Sequence, residues 1–173
     1  LNLTGYEVVR AQYFATLQNP AMTISNGKLR FNTACLKKFE DVEYVELLLN
    51  SVDRCIAIRP CEKDNPNAIR WGRLKEGRWC ASTLGCRGLA KALFDMMEWE
   101  EGLKYRFRGQ LVEQNDDKLM LFELDEPEMV KVEEIVLPSK GQDEEGKTVK
   151  QTIYIFPPEW EGTFGKPITS IAQ

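Results

Sequence analysis

The sequence contains no histidine, the residue that most often acts as a general base near neutral pH and most often binds metal ions. Its absence excludes serine–histidine and cysteine–histidine nucleophiles, together with hydrolases whose metal is held by imidazole. No segment has the strand, glycine-rich loop and helix order of a phosphate cradle. The sequence therefore favours a protein that is not an enzyme, with no catalytic residue, no metal site and no cofactor.

Long apolar runs are also missing. The longest, such as Ile153 to Phe156, are far shorter than the roughly 18 to 20 residues that a membrane-spanning helix needs. No basic, then apolar, then small-residue pattern opens the chain, as a signal peptide would. These patterns predict a cytoplasmic protein that does not cross a membrane.

Cysteine is present, but in an odd number that does not suit a disulfide framework. The five residues include two Cys-x5-Cys pairs, Cys55 with Cys61 and Cys80 with Cys86. Structural zinc sites use shorter spacings, and Cys55 lies in an alternating apolar strand pattern. We therefore expect reduced thiols that act mainly as small core residues.

The chain has 173 residues, enough for one compact body, and its charge is unevenly distributed. Residues 26 to 90 hold twelve Lys or Arg against eight Asp or Glu, whereas residues 91 to 173 hold ten against eighteen. A basic front can hold a polyanion, and an acidic rear can engage a basic partner. Solvation alone explains such charge equally well.

Two stretches show the same order of elements. In the first, residues 21 to 61, a hairpin turns at Asn26-Gly27, a short helix follows a cap at Asn32 or Thr33, and a second hairpin joins Val42 to Leu49 with Cys55 to Arg59.

In the second stretch, residues 78 to 125, a strand at Arg78 to Ser82 precedes a helix from about Gly88 to Trp99 and a hairpin of Leu103 to Glu113 with Lys118 to Leu124. The patterns predict an α+β fold with a mostly antiparallel sheet, built from a strand-helix-hairpin unit. The two units either arose by duplication and pack as a pseudo-dimer, or they are parts of an α+β fold that share this order of elements without being related to each other.

Residues 126 to 173 read as two strands, Met129 to Leu137 and Thr148 to Phe156, separated by a charged and mobile loop at Ser139 to Lys147. The tail carries Trp160, Phe164 and Ile168. These apolar residues either anchor the tail on the body or contact a partner.

Basic residues around the first unit suggest a phosphate-binding surface. Lys28 and Arg30 alternate with apolar residues on a hairpin strand, and Lys37 and Lys38 lie on the exposed side of the short helix. The full candidate set is Lys28, Arg30, Lys37, Lys38, Arg54 and Arg59, with Arg73 and Arg78 as a secondary patch. The secondary patch is interleaved with Trp71 and Trp79, a mixture suited to stacking on unpaired bases or to packing of arginines on tryptophan faces.

The stretch Gly27 to Lys38, followed by Val42 to Leu47 and Ile56 to Pro60, resembles the swapped-hairpin domain of AbrB-like DNA-binding regulators. The resemblance implies a strand, a short helix and a hairpin, with basic residues around the strands in contact with DNA. The matching residues make up about a fifth of the chain.

Leu3 to Arg10, Asn32 to Cys35, Glu43 to Val45 and Ile58 to Cys61 look like a family of small proteins from mobile elements and phages of gut Gram-positive bacteria. Members are often labelled integrase, although this chain shows no nucleophilic serine or tyrosine among clustered arginines. The leading hypothesis is a non-catalytic nucleic-acid-binding or regulatory protein of a mobile element. The alternative is an adaptor whose acidic C-terminal half binds a basic protein partner.

Overall fold

The computed structural model describes residues 2–14, 19–25, 27–137 and 146–168. In chain order the strands are β1 (Glu7–Val9), β2 (Ala21–Ser25), β3 (Lys28–Phe31), β4 (Tyr44–Asn50), β5 (Cys55–Pro60), β6 (Ile69–Arg70), β7 (Gly72–Lys75), β8 (Arg78–Ala81), β9 (Thr83–Gly85), β10 (Lys104–Gln114), β11 (Asp117–Glu123), β12 (Glu128–Leu137), β13 (Lys147–Ile155) and β14 (Gly165–Pro167). The described α-helices are α1 (Thr33–Phe39) and α2 (Arg87–Met97), and single 3-10 turns lie at Ala11–Tyr13 and Pro158–Trp160.

The main sheet is antiparallel, and its strands follow the order β6, β4, β5, β11, β10, β2, β3, β9. Its two ends approach one another, because the N–H of Ser82, between β8 and β9, donates to the carbonyl of Trp71, between β6 and β7, at 2.9 Å. The sheet therefore curls until its first and last strands are linked through the β7–β8 hairpin.

The core fills the inside of this curled sheet. Phe31 on β3 lies 5.6 Å, between ring centroids, from both Trp71 and Phe122. β3 and β11 are separated by two strands within the sheet, so these contacts require the curl. Trp71 has no exposed surface, and its indole N–H donates to the carbonyl of Val42 at 2.8 Å. Burial of such rings supplies much of the hydrophobic stabilisation.

Helix α1 begins at a polar cap. The Asn32 side-chain oxygen accepts from the N–H of Cys35, satisfying a first-turn donor that has no partner within the helix. One face, formed by Cys35, Leu36 and Phe39, is buried against the core, and Glu40 ends the helix with a positive φ of 48°.

Helix α2 is amphipathic and leads into the longest strand. Ala90 and Leu93 are buried, and Trp99, just after the helix, stacks on Tyr105 of β10 with ring centroids 4.6 Å apart. The Glu100 N–H donates to the Tyr105 hydroxyl at 2.7 Å. These contacts fix the entry of the chain into β10.

The local elements of both stretches are confirmed: the β2–β3 hairpin, α1, the β4–β5 hairpin, β8, α2 and the β10–β11 hairpin occur in the predicted order. The α+β class built from strand-helix-hairpin units is wrong, because the chain is mostly antiparallel β-structure in one curled sheet, with two α-helices among its described residues.

The reason lies in the pairing of the strands. β3 pairs with β2 and β9, while the β4–β5 hairpin lies between β6 and β11, so the strand and the hairpin of the first predicted unit are not neighbours. Each strand has one apolar face, and the eight strands of the main sheet curl so that these faces enclose a common core.

Beyond the main sheet, β12 and β13 form a long hairpin. Nine consecutive residue pairs join them, from Met129↔Ile155 to Leu137↔Lys147, but only Glu128 to Val130 pair with β10. The remainder, 131–137 with 147–153, extends from the body as a two-stranded arm. The predicted charged loop at 139–147 lies mostly outside the described residues.

The N- and C-terminal segments pair with each other, and we call residues 6–14 and 156–168 the strap. β1 pairs with β14, the Arg10 guanidinium lies 4.6 Å from the centre of the Trp160 ring, and Tyr13 lies 4.7 Å from Phe156. The Arg108 guanidinium of β10 donates to the carbonyls of Ala11 and Phe14. The tail up to residue 168 therefore lies against the N-terminal segment, with Trp160 half-buried and Phe164 still exposed.

Candidate nucleic-acid interface

Strand β3 separates its charged and apolar side chains onto two faces. Leu29 and Phe31 are buried, whereas Lys28 and Arg30 are exposed on the outer face. The residues beside Arg30 are Thr23 on β2 and Thr83 on β9, and those beside Lys28 are Ser25 and Gly85. Since these neighbours are small, both cations are open to a ligand.

The β7–β8 hairpin presents a second group of cations. Trp79 and Ala81 pack against the core, and Gly72 lies beside Leu36 of α1, so the alternate positions point away from the core. Those positions hold Arg73, opposite Cys80, and Lys75, directly opposite Arg78. Like charges directly opposite are unfavourable in a sheet, so this pair does not stabilise the hairpin.

The two groups belong to different sheets that follow one another in the chain. β8 is joined through Ser82 to β9, which pairs with β3, whereas β7 and β8 pair with each other as a separate two-stranded sheet. We call the five residues Lys28, Arg30, Arg73, Lys75 and Arg78 together the basic face. Within the described residues no carboxylate lies within ion-pairing distance of any of the five.

Lys37 and Lys38 lie elsewhere. Both are exposed in the last turn of α1, which packs on the inner side of the β7–β8 hairpin, across from Arg73 and Arg78. Cations at this end of a helix interact favourably with the helix dipole, which gives the two lysines a structural role.

Arg54 and Arg59 lie on the β4–β5 hairpin and have acidic partners. The Arg54 guanidinium is 3.1 Å from an Asp125 carboxylate oxygen, and Arg59 forms an ion pair with Glu46. The basic face thus includes four of the eight predicted residues, namely Lys28, Arg30, Arg73 and Arg78. The other four, Lys37, Lys38, Arg54 and Arg59, lie outside it.

Sequence reasoning missed a carboxylate between two arginines at the edge of this surface. Glu128 on β12 is buried, and its two oxygens each lie 3.3 Å from a guanidinium nitrogen, one of Arg106 and one of Arg108. The alternation of Arg106 and Arg108 with Tyr105 and Phe107 placed the arginines on one strand face. The partner came from a distant strand, and the sequence carries no signal for that pairing.

The tryptophans near the basic face are not free to stack on bases. Trp71 is completely buried, which excludes the stacking alternative for this residue, because its large ring belongs to the core. The indole N–H of Trp79 donates to an Asp41 carboxylate oxygen at 2.8 Å, and the side chain is half-buried. The basic face therefore offers charge without an accessible aromatic platform.

Four of the five thiols are poorly suited to nucleophilic chemistry. Burial raises the pKa of Cys35 from 9.0 to about 12, and desolvation also raises the pKa of Cys55, Cys61 and Cys86. A thiol with a raised pKa holds less of the reactive thiolate at neutral pH. Among the described residues no three of Asp, Glu and Cys come together as a metal site.

One open groove lies on the outer surface near Arg108. It has a volume of about 430 Å³ and is lined mainly by polar groups, including Gln12, Gln110 and Glu123. Ligand pockets are usually concave and mostly apolar, so this groove does not resemble an enclosed substrate site.

No protein-family model matches this chain, and no curated protein and no solved structure is significantly similar to it. None of the helices in the described part of the chain is both long enough and apolar enough to cross a membrane. The site must therefore be interpreted from its own geometry.

Proposed function

We propose that this protein binds nucleic acid without catalysing a reaction, and that the basic face contacts phosphate groups. The observation that carries the proposal is a set of five exposed cations that have no carboxylate partner in the part of the chain that the structure describes, although the formal net charge of the chain is −4. Elsewhere in the described structure, exposed arginines such as Arg54, Arg59 and Arg70 do have acidic partners. The resemblance to mobile-element proteins suggests the setting in which such binding operates.

The arrangement suits the backbone of a nucleic acid. Lys28 and Arg30, two residues apart on one face of β3, are separated by roughly 6.6 Å along the strand, so the two cations can meet different phosphates, and the β7–β8 hairpin adds further cations. Contacts to phosphate give affinity that depends on salt but carry no direct sequence information. The small Thr, Ser and Gly neighbours allow the backbone to approach the sheet surface.

The experiment is fluorescence anisotropy of a labelled mixed-sequence DNA duplex titrated with the protein at several salt concentrations. Five phosphate contacts predict a slope of log K against log salt of roughly −4.5. In the variant Lys28→Ala/Arg30→Ala/Arg73→Ala/Arg78→Ala, four contacts are lost, so binding should fall by at least about tenfold and the slope should approach −1.

The matched control is Arg54→Ala/Arg59→Ala/Arg70→Ala/Lys118→Ala, which removes four cations that are already paired with carboxylates. Both variants change the net charge equally. The control should keep most of the affinity and the slope of the parent. Equal losses in the two variants would show a net-charge effect and contradict the basic face, and absence of binding at low salt would contradict the function itself.

A further inference from the structure

The outer edge of β13 is an unpaired strand edge of unusual length. All nine residues of β13, Lys147 to Ile155, pair with β12 along one edge, and the opposite edge meets none of the described strands. The run of pairs contains no bulge, and the strand contains no proline. Proteins normally protect such edges, since exposed backbone N–H and C=O groups form a template for another strand.

We propose that the β13 edge pairs with the β13 edge of a second copy of this chain, forming a four-stranded sheet across a two-fold axis. Such an interface presents the same residues on both sides. The proposal is independent of nucleic-acid binding, because the basic face lies on other strands.

Symmetry fixes the register. In an antiparallel pair related by a two-fold axis perpendicular to the sheet, opposing side chains share a face, so opposing residue numbers differ by an even number. Pairing along the full length of Lys147 to Ile155 then places Gln151 opposite Gln151 of the second copy. Val149 lies opposite Ile153, Lys150 opposite Thr152, and Thr148 opposite Tyr154.

This register is chemically self-complementary. Val149 and Ile153 are half-buried in the single chain, and each would gain an apolar neighbour across the axis. Tyr154, 55% exposed, gains the methyl group of Thr148. No two like charges face each other, because Lys150 is opposite a neutral threonine in the second copy and opposite Glu134 in its own arm.

The other edge of the arm does not suit self-pairing. β12 runs from Glu128 to Leu137, and the part beyond its contacts with β10 is centred on Glu134. Pairing of that part with itself would place two glutamates directly opposite one another, which is unfavourable. The charge pattern therefore selects the β13 edge.

The first test changes charge at Thr152 and measures mass by sedimentation. In Thr152→Lys, each Lys150 faces the new lysine of the other copy. The dissociation constant of the dimer should therefore rise at least about tenfold over that of the parent. In Thr152→Glu, each Lys150 gains an opposite charge, so the dimer should tighten and its affinity should fall with added salt. Circular dichroism of both variants controls for folding.

The second test places a cysteine on the axis. Opposed residues in an antiparallel pair have Cα atoms about 4.5 to 5.5 Å apart, within the range that a disulfide spans. Under oxidised glutathione, Gln151→Cys should give a covalent dimer, as two thiols lose two electrons and two protons to the oxidant. In the control Thr148→Cys, the two copies of the residue lie about 20 Å apart, so little cross-linking is expected beyond that of the parent.

A monomeric parent at all concentrations, or equal cross-linking of Gln151→Cys and Thr148→Cys, would overturn the proposal. Neither outcome depends on DNA. Failure of self-association and failure of nucleic-acid binding are therefore seen in separate measurements.

Discussion

Arg30 on β3 and Arg106 on β10 occupy one row of the sheet on either side of Thr23, but only Arg106 is bonded to a carboxylate. The Arg106 side chain is 28% exposed and its partner Glu128 is almost fully buried. Arg30 is exposed and has no acidic partner among the described residues. Two arginines on the same face thus have different roles.

This contrast predicts opposite effects of two alanine substitutions. Arg106→Ala leaves buried Glu128 with one partner, so the free energy of unfolding should fall by about 1–3 kcal/mol. Arg30→Ala should change stability by less than about 0.5 kcal/mol while weakening DNA binding. Urea denaturation and DNA anisotropy measured on both variants test this, and equal destabilisation would contradict the assignment.

Asn32 should be sensitive to substitution because its side chain joins three segments. Its oxygen accepts from the N–H groups of Ala21 and Cys35, and its amide donates to the carbonyl of Asn19 at 2.7 Å. We expect Asn32→Ala to lower the free energy of unfolding by about 2 kcal/mol or more in urea denaturation.

Asn32→Asp is the matched control, since it keeps the acceptor oxygens but loses the donor to Asn19. Its loss should be smaller than that of the alanine variant. A larger loss in the aspartate variant would show that the donor, and not the helix cap, dominates.

The buried thiol of Cys35 should lower the free energy of unfolding at alkaline pH. Burial holds its folded-state pKa near 12, while the Cys35 thiol in the unfolded chain titrates near 9.0. Between these values the unfolded chain loses the proton and the folded chain keeps it, so stability falls as pH rises. The expected slope from this residue is about 1.4 kcal/mol for each pH unit above 9.

Denaturation of the parent and of Cys35→Ala between pH 8 and about 10 measures this slope. The alanine variant should lose stability less steeply with pH. Parallel curves would show that Cys35 does not contribute, because Cys55, Cys61, Cys86 and Tyr105, whose pKa values are also raised, titrate in both proteins.

The strap should open when its central ring is removed. Tyr13 contacts Phe156, Trp160 and Phe164, with ring centroids 4.7 to 6.4 Å apart. In Tyr13→Ala we expect chymotrypsin to cut within 156–168 several times faster, because local opening becomes easier, while the β-sheet circular dichroism stays the same.

Tyr6→Ala is the control for this experiment, since Tyr6 is 59% exposed and makes no ring contact within the described structure. Its cleavage rate should match that of the parent. Equal acceleration in both variants would mean that the aromatic cluster does not hold the tail.

Local signals in the sequence predicted local structure well. The Asn26-Gly27 pair marked the β2–β3 hairpin, Asn32 marked the start of α1, and the alternation around Tyr105 marked β10. The order of strands in the sheet was not predictable in the same way. It depends on contacts such as Phe31 with Phe122, which join residues far apart in the chain and leave no periodic signal.

The candidate site was predictable in part. Alternation with buried residues placed Lys28 and Arg30 on an outer face, but the ion pairs of Arg54 and Arg59 require knowledge of which strands are neighbours. Trp71 shows the same limit, because its position beside arginines in the sequence suggested a surface residue. Its burial follows from the curl of the sheet.

The ring contacts of Trp71 also bear on how the chain folds as it is synthesised. Phe31 and Phe39 leave the ribosome before Trp71, but Phe122, on a strand needed to join the halves of the sheet, emerges much later. A nascent chain that ends before β10 exposes apolar strand faces that have no partner, a state prone to aggregation. Folding of this protein should therefore be a late event that awaits β11, and fragments ending near residue 100 should depend on chaperones to stay in solution.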